Sequence, residues 1–145
     1  MFDLVIRNGK IVTPQQIIEG DLAVVDGLIA NIGPNLGRAK QEVDAEGHIV
    51  FPGMMDPHCH LGSGDERSWE YMSQSFYKDT QDALIGGVTS IATTTVLTPH
   101  SLVENFNNTL EAGRGKSHVD FRITSVITRD HQVEQIPQIL ELGGK

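Results

Sequence analysis

Cysteine is almost missing from this sequence: Cys59 stands alone among 145 residues. No disulfide can form within the chain, which suits a reducing compartment. Basic charge is scarce as well. Eleven Lys and Arg face nineteen Asp and Glu, a formal net charge of −8. That balance excludes the clustered cationic surface that phosphate backbones require, so no nucleic-acid partner is expected. The acidic residues are scattered and read as a solvated surface. No apolar run approaches the roughly 20 residues that a membrane helix needs. The opening Met1-Phe2-Asp3-Leu4-Val5-Ile6-Arg7 has no basic stretch followed by an apolar one, so neither a membrane partner nor a secretory leader is expected. The cytoplasm is the simplest location. What remains is the makeup of an ordinary folded domain, 39% hydrophobic and 21% charged, without the bias of disordered or low-complexity chains.

Residues 1–50 read as β-structure. Asp3–Arg7 and Lys10–Thr13 flank Asn8-Gly9, and Leu22–Val25 and Leu28–Ile32 flank Asp26-Gly27. Asn-Gly and Asp-Gly are the strongest two-residue hairpin signals, because a type I′ turn needs positive φ at both positions. Gly33-Pro34-Asn35 ends the second pair. Two short hairpins cannot bury a substantial core alone. They need further strands, and the rest of the sequence does not obviously supply them.

After Gly47 the pattern changes. Ile49-Val50-Phe51 is a short apolar strand, and Met54 to His60 follows Pro52-Gly53. Trp69, Met72, Phe76, Thr80, Ala83 and Leu84 keep the spacing of one buried helical stripe within about 66–85, and Gly86-Gly87 stops it. Val88 to Leu97 is a β-run rich in Thr and Ile, followed by a loop at Thr98-Pro99-His100. Ser101-Leu102-Val103-Glu104 matches a capping box before a helix whose apolar side is Leu102, Phe106 and Leu110. Val119 to Thr128 is a strand with Phe121, Ile123 and Ser125 on one face. A third helix is expected over 134–142, with Pro137 in its first turn and Gly143-Gly144 at its end. The β-α-β-α-β-α order argues for a parallel sheet with right-handed crossovers, either an open doubly wound sheet or a (β/α)8 barrel. A barrel takes around 250 residues. This chain holds about three of its eight units and reads as a piece of a longer protein.

His58-Cys59-His60 falls at the end of the first strand of that series. Residues two apart on a strand share a face, so both imidazoles can converge on one metal ion while Cys59 points away. Sites in parallel α/β folds form at the carboxyl ends of strands. Imidazole suits zinc, iron, nickel or copper, and two histidines are not a full ligand set. Thr93-Thr94-Thr95 reads as strand interior, and Trp69 and Tyr71 as packing residues. There is no Gly-x-Ser-x-Gly elbow, phosphate loop or dinucleotide fingerprint.

The stretch Phe51-Pro52-Gly53-Met54-Met55-Asp56-Pro57-His58-Cys59-His60-Leu61 resembles the signature of the amidohydrolase superfamily, nearest to its dihydropyrimidinase, hydantoinase and dihydroorotase branch. Leu4 to Val12 and Gly86-Gly87-Val88-Thr89-Ser90 resemble the same enzymes. The resemblance implies that residues 1–50 are part of a small β-sandwich domain, whose other strands come from a missing C-terminal part. It implies that residues 51–145 are the first three β/α units of an incomplete (β/α)8 TIM barrel. It further implies a binuclear site, commonly two zinc ions per complete chain, with His58 and His60 as two ligands. A carboxylated lysine, two more histidines and an aspartate would complete that site. Lys145 comes too early for that lysine, and His100, His118 and His131 do not fall where the later ligands belong. The implied reaction is hydrolysis of a small cyclic amide. The metal lowers the pKa of bound water toward about 7 and polarises the scissile carbonyl. The general-base aspartate is expected beyond residue 145, so the 145 residues alone lack the complete active site. Family members often form homo-oligomers, tetramers among them.

Asp56 lies two residues before His58. Its expected role is orienting a histidine from behind the ligand set, with a purely structural role as the alternative. Dihydroorotases typically carry an arginine two residues after the second histidine, and here that position is Gly62. A glycine cannot grip a carboxylate, which favours a hydantoin, a dihydropyrimidine or a related ring over dihydroorotate. Gly62-Ser63-Gly64 reads as an ordinary surface loop or a flexible loop over the site, and Arg67 as a solvated helix start or a substrate contact. The alternatives are a dihydroorotase or allantoinase-type activity, and a non-catalytic scaffold or truncated relative.

Overall fold

A computed structural model of the protein describes residues 1–62, 68–94 and 101–144. The loop expected at Thr98-Pro99-His100, the end of the β-run at Thr95–Leu97, and Ser63, Gly64, Arg67 and Lys145 lie outside the described residues. The chain divides into two compact units, Met1–Pro52 and Gly53–Lys145.

The first unit is a five-stranded sheet. Strands β1 (Phe2–Val12), β2 (Ile17–Val25) and β3 (Leu28–Gly33) run antiparallel in sequence, while β4 (Ala39–Asp44) and β5 (Ile49–Val50) pair parallel with β1. The turn expected at Asp26-Gly27 joins β2 to β3, with φ of 50° and 74°. The hairpin expected at Asn8-Gly9 does not form. Strand β1 runs straight through it, and its register against β2 slips between Ile6 and Gly9. Asn8 takes φ 53° there, so the positive φ that asparagine tolerates serves a bulge instead of a turn. Gly9 is needed for a different reason: a Cβ there would come within 2.9 Å of the Val50 side chain. The further strands that the hairpins require are supplied within the chain by β4 and β5. Strand β4 is exposed along nearly its whole length and carries one large apolar residue, Val43, so it has no hydrophobic alternation to read.

Arg7 joins these strands. Its guanidinium donates to both carboxylate oxygens of Glu42 on β4 and, at 2.9 Å, to Asp21 on β2. Asp21 is only 6% exposed. Burial pushes its carboxyl up, but hydrogen bonds from Arg7 and from the Asn8 and Leu36 N–H groups outweigh that and hold its pKa below the ordinary aspartate value.

The second unit is a parallel sheet of β6 (Met54–Cys59), β7 (Val88–Thr94) and β8 (Asp120–Thr124), in that order. The helices are α1 (Trp69–Ile85), α2 (Leu102–Gly113) and α3 (Ile136–Glu141). Helix α1 starts at 69, where the Ser68 hydroxyl caps the Tyr71 N–H. Met72, Ser75, Phe76 and Thr80 form its buried stripe, and Leu84 lies off it, exposed. Ser101 caps α2 as expected, and Gln135 accepts from the Leu102 and Val103 N–H groups of the same turn. The third helical segment is split. Asp130–Gln135 is 3₁₀, and α3 proper begins beside Pro137, which sits in its first turn. Strand β8 ends at Thr124, short of the expected 128.

Leu61, Met72, Phe76, Ile91, Ala112 and Val119 pack as one core cluster, and Leu102, Phe106, Ile123 and Ile139 as a second, with Phe121 against both. The helices therefore cover the sheet side that carries Ile91 and Ile123. Side chains alternate along strands, so Ser90, Ala92 and Arg122 face the other way.

Just past β6 the chain is fastened to its neighbours. The Leu61 N–H donates to Thr93 Oγ1 at 3.3 Å and the Gly62 N–H to Ser75 Oγ at 3.0 Å. Ser75 in turn donates to Asp79. Gly62 has φ 67°, and a Cβ there would lie 3.1 Å from the Met72 backbone. Gly62→Ala is expected to lower stability by about 1–3 kcal/mol, the usual cost of a strained backbone position, read from urea denaturation followed by circular dichroism. Asp21 generates a pH prediction. Its lowered folded-state pKa stabilises the chain above the ordinary carboxylate pKa of about 3.9, and that contribution is lost as pH falls through the folded value. The denaturation midpoint of the native protein should exceed that of Asp21→Asn at pH 6, and the gap should close below pH 4.

Candidate functional site

Strand β6 is irregular where it matters. Asp56 pairs with Ile91 and Cys59 with Thr93, so β6 uses three steps where β7 uses two. The extra residue falls at Pro57-His58, and proline has no N–H to give to a ladder. The His58 N–H leaves the ladder and donates to Asp56 Oδ1 at 3.0 Å. Asp56 thus holds the backbone of His58, not its ring. The extra residue also interrupts the alternation that would have put Asp56, His58 and His60 on one face.

Beyond the bulge the two histidines meet. Their Nε2 atoms are 3.0 Å apart and their rings stand nearly perpendicular, at 79°, with centroids 4.8 Å apart. Both side chains are exposed. On the far side of the His60 ring, Nδ1 lies 2.6 Å from the hydroxyl of Thr94, which is 3% exposed and also lies 3.5 Å from the Cys59 carbonyl oxygen. Thr94, read from the sequence as strand interior, is therefore also a direct partner of His60.

Cys59 turns away from the histidines and packs against the core cluster. Burial, with the charge of Asp56 added, pushes its thiol pKa up, which disfavours the thiolate that metal binding requires. His118 packs its ring on Tyr77 and donates its backbone N–H to the Thr80 hydroxyl. His131 is in the 3₁₀ segment, and His48 is bonded to the Ala45 carbonyl. Trp69 packs on the core, while Tyr71 borders a cleft of about 680 Å³ along α1. Among the described residues no three His, Cys, Asp or Glu side chains gather where one metal ion could be held. An arginine at position 62 would have to leave a backbone of φ 67° against Met72, so glycine there has a packing reason as well.

The donor pair does fit a shared cation. Two nitrogens bound to one tetrahedral zinc at about 2.0–2.1 Å lie roughly 3.3 Å apart, and the observed 3.0 Å needs only a small opening of the rings.

No protein-family model matches the chain. Known proteins do. The chain is 32% identical over 93% of its length to an allantoinase of Escherichia coli, spanning 30% of that protein. It is 33% identical over 98% of its length to an allantoinase of Desulfitobacterium hafniense, spanning 31% of it. Its fold superimposes on L-hydantoinase (dihydropyrimidinase) from Arthrobacter aurescens with a TM-score of 0.81 and 25% identity, over 99% of this chain and 32% of that one. The chain thus spans about a third of the length of the relatives it matches. These likenesses, running along nearly all of its residues, support the amidohydrolase superfamily as its family.

Proposed function

We propose that this chain carries the two-histidine part of the metal site of a cyclic amidohydrolase. The observation that carries the reading is the pair of Nε2 atoms 3.0 Å apart, at the carboxyl end of the first strand of a parallel sheet. The matches to allantoinases and to a hydantoinase support the same class of reaction. In this reading Met1–Pro52 is part of a small β-sandwich, and the three parallel strands with their helices are the opening units of a (β/α)8 barrel.

His58 and His60 would hold a divalent cation, zinc as the first choice, through their Nε2 atoms. When bound, such an ion supplies a Lewis acid for the amide carbonyl and a lowered pKa for water. Asp56 fixes the His58 backbone and Thr94 contacts the His60 ring, so the main chain of one histidine and the ring of the other are held before a cation arrives. The remaining ligands, a second zinc and the general-base aspartate are proposed to belong to residues outside this chain. The substrate is a small cyclic amide without a carboxylate for residue 62 to hold, since Gly62 offers no cation. A hydantoin or dihydropyrimidine ring meets that description. The allantoinase relatives favour allantoin as a second reading, and allantoin is itself a hydantoin bearing a ureido group.

The test uses the full protein that contains this chain. It should open hydantoin, dihydrouracil or allantoin, and dihydroorotate poorly. His58→Ala and His60→Ala should each abolish turnover. Each should weaken zinc affinity by more than the roughly 10–100-fold that loss of an outer contact causes, read by competition with a chromophoric chelator. A folded protein whose zinc affinity is the same with and without the two histidines would favour the scaffold reading instead.

A further inference from the structure

The contacts around His60 carry one step more. Thr94 has a single hydroxyl proton and two neighbours for it, the Cys59 carbonyl oxygen at 3.5 Å and His60 Nδ1 at 2.6 Å. A carbonyl oxygen can only accept, whereas an imidazole nitrogen can donate or accept according to tautomer. If Thr94 gave its proton to Nδ1, its oxygen would meet the carbonyl with no hydrogen between them. At 3% exposure the hydroxyl has little water to turn to. If instead Nδ1–H donates to Thr94, the hydroxyl proton is left to point along the longer 3.5 Å contact to the Cys59 carbonyl, and neither contact sets lone pair against lone pair. His60 Nε2 is then bare, and in the absence of a cation it can accept from His58 Nε2–H at 3.0 Å.

We infer that Thr94 is a positioning residue that fixes the Nδ1–H tautomer of His60 and so leaves Nε2 as its free donor nitrogen. The chain of donors runs from His60 through Thr94 to the backbone of the residue before that histidine. It joins the ends of β6 and β7, so the ring's orientation is tied to the pairing of those two strands. The same arrangement on a metal-ligating histidine aims it and raises its basicity. The use made of the bare nitrogen rests on the proposed metal site, whereas the tautomer does not.

The experiment is long-range ¹H–¹⁵N correlation on histidine-labelled, metal-free protein at pH 8, above the ordinary histidine pKa of about 6.5, followed by zinc titration. In the native chain His60 Nδ1 should carry the proton and Nε2 should show the shift of an unprotonated ring nitrogen. Thr94→Val keeps the side-chain shape and should abolish that preference, while Thr94→Ser should restore it. Zinc affinity should fall about 10–100-fold in Thr94→Val and recover in Thr94→Ser. A native His60 protonated at Nε2, or a tautomer unchanged in Thr94→Val, would overturn the inference. So would a zinc affinity that falls in His60→Ala but holds in Thr94→Val. If the tautomer responds to Thr94 while zinc affinity ignores His60→Ala, the positioning role stands and the metal reading is the one that fails.

Discussion

Everything in the candidate site hangs on one extra residue in β6. A regular parallel ladder from Asp56 onward would match β7 residue for residue, and the side chains would keep strict alternation. The added residue at Pro57-His58 breaks both. It frees the His58 N–H, which the Asp56 carboxylate takes up, and it resets which side chains face the helices. Cys59 comes to lie on the core beside Ile91, and the two imidazoles come together on the other side. Bulges bend a strand and raise its twist, and just beyond this one the two neighbouring rings meet.

What holds that bend is a set of buried hydroxyls. Thr93 takes the Leu61 N–H, Ser75 takes the Gly62 N–H, and Thr94 takes the His60 ring. All three are almost fully buried. A buried hydroxyl that lost its partner would cost about 1–3 kcal/mol, so each one penalises departure of the 60–62 segment from its place. Gly62 completes the fastening. Its φ of 67° lets the chain leave β6 close against Met72, where a Cβ would sit a tight 3.1 Å from the backbone.

Much of this was legible in the sequence, and what was not has a physical cause. The cap at Ser101, the Gly86-Gly87 stop and the Asp26-Gly27 turn are local signals, and each acts where it stands. Asn8-Gly9 misled because asparagine reports a positive φ, not a change of direction, and a bulge satisfies the same preference. Strand β4 was invisible because it is held by its parallel pairing to β1 and by Glu42 on Arg7 rather than by an apolar face. The pairing of His58 with His60 could be anticipated from their spacing. The partnership of His60 with Thr94 could not, because it depends on the register of two strands whose residues lie 34 positions apart. Asp56 is intermediate: its nearness to His58 was legible, but the bulge decided that it would bind backbone.

Charge adds a final constraint on the proposed metal site. Two imidazoles are neutral ligands, and a divalent cation held by them alone keeps its full charge. Among the described residues, Asp56 accepts the His58 backbone N–H with one of its carboxylate oxygens. The thiol of Cys59 is turned into the core with its pKa raised, so it supplies no anion either. Removing water from a cation without compensating its charge is prohibitively costly. Two neutral rings are short of the three protein ligands usual for a catalytic zinc, and anionic oxygen ligands joining them would offset the charge of the ion. In the proposed reading His58 and His60 are a starting half of the site, with their Nε2 atoms already side by side, and carboxylate or carbamate donors would balance the charge.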